Sequence, residues 1–101
     1  MHLHDLINPQ RIEPTLQAIG GRIEPLDGAE MDELLERVKK GLNARGIDPE
    51  TFITKVSDAA GRAAQQVTEN PYEEPARVQL ALHLIENAMR LEPGHKVTIE
   101  R

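Results

Sequence analysis

The stretch that most constrains this chain runs from Pro75 to Leu91, where apolar residues fall on two sides of one helix. Val78, Ala81, Leu82, Ile85, Ala88 and Met89 recur at helical spacing, and Leu80, Leu84 and Leu91 widen the stripe. A helix of that kind is stable only when other elements cover it. The spacing therefore predicts a central helix over 75–91 inside a small bundle.

Two further amphipathic helices are written upstream. Asp27 with Glu30 three residues later forms a capping-box pattern, and Met31, Leu34, Leu35, Val38 and Leu42 make one face of a helix over 28–45. Gly46 supplies a left-handed stop. Asp48 as N-cap and Pro49 at the first helical position then open a helix over 49–68, with Phe52, Ile53, Val56, Ala60, Ala63, Ala64 and Val67 inward. The expected fold class is mainly α: a three-helix bundle in a single domain spanning residues 1–101.

The two ends are harder to place. Pro9, Pro14 and Pro25 exclude one long helix from the first 26 residues, so an irregular segment packed on the bundle is expected there. Within it, either Pro14 opens a short helix ended by Gly20 and Gly21, or those glycines turn a hairpin; the helix is the preferred reading. At the other end Val97 and Ile99 alternate with polar residues, as in a short edge strand.

Composition excludes more than it identifies. The chain has 101 residues, no cysteine and a net charge of −5, which removes disulfides, thiol nucleophiles and thiolate metal sites. Neither a signal-peptide pattern nor a membrane-spanning run is present, so a soluble, cytoplasmic protein is expected. Residues 37–62 form a mildly basic middle, with six bases against three acids. Counterion release rewards many cationic contacts, which the acidic remainder of the chain opposes.

No constellation of catalytic residues emerges. His2 and His4 lack a third metal ligand, and His83 with Glu86 reads in the reverse order to a di-iron motif and has no matching pair. Ser57 and the threonines stand outside any nucleophile elbow or phosphate loop. The expectation is a non-enzyme with no cofactor and no metal.

Apolar surface in excess of what three helices can hide favours a regulatory or adaptor protein that binds another protein, or a second copy of itself, through a helical face. Tyr72, Leu80, Leu84 and Leu91 are the expected apolar contacts, with Arg37, Lys40 and Arg45 as a basic cluster beside them. The alternative is a helix-turn-helix regulator of nucleic acid, with Thr51, Thr54, Lys55, Asp58 and Arg62 on its reading helix. Such a binder is less expected in an acidic chain.

Overall fold

The computed structural model describes residues 3–19, 23–67 and 72–91, with the side chains of Ile19 and Leu91 outside that description. Among the described residues the chain is helical throughout its regular structure. A 3₁₀ helix, Leu3–Ile7, is followed by α1 (Pro9–Ile19), α2 (Gly28–Ala44), α3 (Pro49–Val67) and α4 (Glu74–Leu91). The expected bundle of three helices is thus one of four. The Gly20–Gly21 turn and the C-terminal strand fall outside the described residues, and no strand occurs among those described.

The α2–α3 junction forms as its residues dictate. Asp27 Oδ1 accepts from the Glu30 N–H at 2.8 Å and Glu30 Oε1 accepts from the Asp27 N–H at 3.1 Å, closing the capping box. At the far end Gly46 has φ 73°, the Ile47 N–H donates to the Leu42 carbonyl and the Gly46 N–H donates to the Asn43 carbonyl. Those two bonds are a Schellman stop, which only the left-handed residue allows. Asp48 Oδ2 then accepts from the Thr51 N–H at 3.0 Å, so α3 starts immediately.

The N-terminal segment corrects the sequence reading. Pro9 does not interrupt a helix; it begins one, with Asn8 Oδ1 capping the Gln10 N–H at 3.0 Å. Pro14 sits inside α1, where it removes the donor to the Gln10 carbonyl. Gln10 and Pro14 are both exposed, so water can satisfy that carbonyl. The opposite face of the segment buries Leu3, Leu6, Ile12 and Leu16 almost completely, each worth about 1.5–3 kcal/mol of transfer. Burial outweighs the proline.

The hub of the bundle is α3 rather than α4. It packs against α1, α2, α4 and the 3₁₀ helix, whereas α4 packs against α2, α3 and the 3₁₀ helix. Ala59, Ala60, Ala63 and Ala64 are all fully buried, and side chains that small let neighbours approach from two sides. Gly61 fits the same logic, since a Cβ there would lie 2.8 Å from Cδ of Arg77 on α4.

Candidate functional site

Three of the residues expected to meet a partner are interior. Leu80 and Leu84 are buried, and so is the Tyr72 ring. The 3₁₀ helix supplies cover for α4 that a three-helix bundle lacked, so the surplus apolar face that motivated those residues is not available in this conformation. Tyr72 is held by its backbone as well, because its carbonyl accepts from Arg77 Nη1 at 3.3 Å. Burial pushes its phenol above the usual range, and its hydroxyl has no hydrogen-bond partner among the described residues. Leu91 closes α4, and its side chain lies outside the description.

The basic cluster, by contrast, is assembled. The second half of α2 runs beside the last turns of α4, and between them lies a surface groove of about 420 Å³ lined by Arg37, Lys40, Gly41, Glu86, Met89 and Arg90. Its floor is formed by Gly41 and the end of the Met89 side chain. A Cβ on Gly41 would stand 2.5 Å from Met89 Sδ and 2.7 Å from its Cε, so the tip of the methionine packs directly on the glycine.

Arg37 and Arg45 hold the groove's two sides together in different ways. Arg37 Nε donates to Glu86 Oε2 at 2.6 Å, an ion pair from α2 to α4 with the carboxylate largely covered and the guanidinium largely in solvent. That hydrogen bond raises the Arg37 pKa, so the residue is a fixed charge. Arg45 donates from Nη1 to the Gly41 carbonyl at 3.0 Å and from Nη2 to the Met89 carbonyl at 3.4 Å. Arg45 is therefore a stitch across the end of both helices, while Lys40 and Arg90 stand exposed at the rim.

The lining carries three cations against one acid. An apolar floor under a cationic rim suits an acidic segment with some hydrocarbon of its own. Gly41, Met89 and Arg90 join the site although no sequence signal marked them, because their relation to Arg37 and Lys40 exists only once α2 and α4 are packed.

Two other hollows are less convergent. One, of about 430 Å³, lies between Ile23, Pro25, Leu26 and Met31 and the start of α4 at Pro75 and Ala76. The other, of about 250 Å³, is polar and lies among Asp58, Gly61, Arg62, Gln65 and Arg77 on the α3 side. His4 and His83 are exposed, and among the described residues no group of three His, Asp or Glu side chains could hold a metal ion. No helix among them is long and apolar enough to cross a membrane.

Fold and groove together define a small helical protein with a cationic inter-helical surface. Comparison with known proteins finds no matching family model, no similar curated protein and no similar solved structure.

Proposed function

We propose that this chain is a small non-catalytic regulatory or adaptor protein that binds another protein through a helical face, and that the face is the α2–α4 groove. The observation that supports this reading is the convergence of Arg37, Lys40 and Arg90 around the Gly41–Met89 floor in a chain of net charge −5. Charge complementarity fixes register and speeds encounter, and the partner segment it favours is acidic.

The test is differential capture from lysate of the source cell. A Lys40→Glu/Arg90→Glu variant is compared with the wild type and with Thr54→Glu/Lys55→Glu on the exposed face of α3. The reading expects a protein retained by the wild type and the α3 variant but lost by the groove variant. Equal retention by all three contradicts it.

A second reading keeps nucleic acid as the ligand. It is favoured by the tight Gly46 turn between α2 and α3 and by the exposure of Thr51, Thr54, Lys55, Asp58 and Arg62 along α3. Asp58 and Glu50 on that helix oppose it. Its signature is an affinity for duplex DNA that falls steeply as salt rises.

A further inference from the structure

The exposed stripe of α2 has an internal symmetry of charge. Ala29, Glu33, Glu36, Arg37, Lys40 and Ala44 are all exposed and follow one another along a single side of the helix, opposite the buried Leu34, Val38 and Leu42. Turning the helix end for end about the midpoint between Glu36 and Arg37 sets Glu33 opposite Lys40 and Ala29 near Ala44, with Glu36 and Arg37 on opposite flanks of the contact. At its centre an acid meets a base, and at each end a small residue lies near a small residue. The operation is a two-fold rotation, so every pairing occurs twice.

We propose that two copies of this chain associate through α2, packed antiparallel on α2 of the second copy about that axis. Lys40 lies at the rim of the α2–α4 groove, so Glu33 of the second copy enters a region that Arg90 also faces. Glu36 and Lys40 have no ion-pair partner among the described residues of their own chain, and Glu33 acts there only on Arg37, by charge and without a direct contact. Arg37 gives only its Nε to Glu86, and its guanidinium is largely exposed. The alanines at both ends let the helix termini approach without clash.

The helix dipole alone accounts for acids early and bases late in α2. It acts equally on all sides of the helix, however, and Lys39 and Asp32 lie off this stripe. The dipole does not explain why the two signs are equidistant from one point on one exposed side.

The inference goes beyond the adaptor reading and is tested without any other protein, so the two can fail separately. The full chain is followed by sedimentation and light scattering over a concentration series at about 0.02 M and about 0.5 M salt, since screening weakens exposed pairs. The wild type is expected to dimerise at low salt and to dissociate more readily at high salt. Glu33→Lys and Lys40→Glu each place like charges opposite one another, and each is expected to weaken self-association by about tenfold or more. Both positions are exposed, so helical circular dichroism should be unchanged. An equimolar mixture of the two single variants is expected to recover a dimer, and the Glu33→Lys/Lys40→Glu double variant to recover one with itself. A wild type that stays monomeric at low salt overturns the proposal. So does a mixture of the single variants that fails to associate.

Discussion

Gln79, buried on α4, donates from Nε2 to the Glu24 carbonyl at 2.7 Å, tying the connection between α1 and α2 to a helix more than fifty residues away in sequence. Its other amide atom, Oε1, accepts from the Leu26 N–H at 3.2 Å. One side chain therefore satisfies both a donor and an acceptor within residues 23–27, which have no regular structure of their own. Gln79→Leu should remove both bonds and leave two part-buried backbone groups unpaired. A loss of about 1–3 kcal/mol is expected in urea denaturation.

The glycines of α2 should respond differently. At Gly41 a methyl group meets the flexible end of Met89, which must shift, and this offsets the gain of about 1 kcal/mol in helix propensity, so Gly41→Ala is expected to fall within about 1 kcal/mol of the wild type. At Gly28 nothing lies within 4 Å and the backbone is helical, so Gly28→Ala should stabilise by about 0.4–1 kcal/mol. Thermal unfolding of both variants beside the wild type checks the pair.

Two buried hydroxyls have no hydrogen-bond partner among the described residues: Ser57 Oγ and Tyr72 Oη. Burying such a group without compensation is unfavourable. Ser57→Ala and Tyr72→Phe are each expected to stabilise by about 1 kcal/mol. A loss of that size at either position would show that the hydroxyl is satisfied.

Asp48 links α3 to pH. The Thr51 hydroxyl and then the Thr51 N–H bond its carboxylate and hold its pKa below the usual carboxylate value. A lowered folded pKa means the contribution is complete above the unfolded value and is lost as pH falls through the folded one, over the range from about pH 5 to pH 2. Asp48→Asn keeps an N-cap but cannot ionise. Its stability relative to wild type should therefore improve on acidification, and a difference that is flat over that range would contradict the assignment.

How much of this was legible in the sequence differs by region. The junction from Asp27 through Pro49 was readable because each signal there is local: a capping pair three residues apart, a left-handed glycine, an N-cap before a proline. α1 is only half legible: the preferred reading, a short helix opened by Pro14, covers its last turns, but the helix begins five residues earlier, at Pro9. At Pro9 proline occupies a position whose N–H is unused, and at Pro14 its cost is met by burial of Ile12 and Leu16. The consequence reaches the site, because the 3₁₀ helix that precedes α1 is the cover α4 needs, and without it Leu80 and Leu84 stand as an unpartnered face. Arg37 and Lys40 could be found as a local excess of charge. Gly41 opposite Met89 could not, since no local pattern records which two helices touch.

The location of the binding face depends on the N-terminal elements being part of the core, and hydrogen exchange of the full chain tests this most directly. Amides of α1 beyond its first turn are expected to be protected and to open together with those of α3 and α4, leaving the α2–α4 groove as the candidate surface. If the 3₁₀ helix and α1 instead exchange freely while α2, α3 and α4 remain protected, the α4 face that the 3₁₀ helix covers is open to solvent. The present assignment of the binding face would then be contradicted.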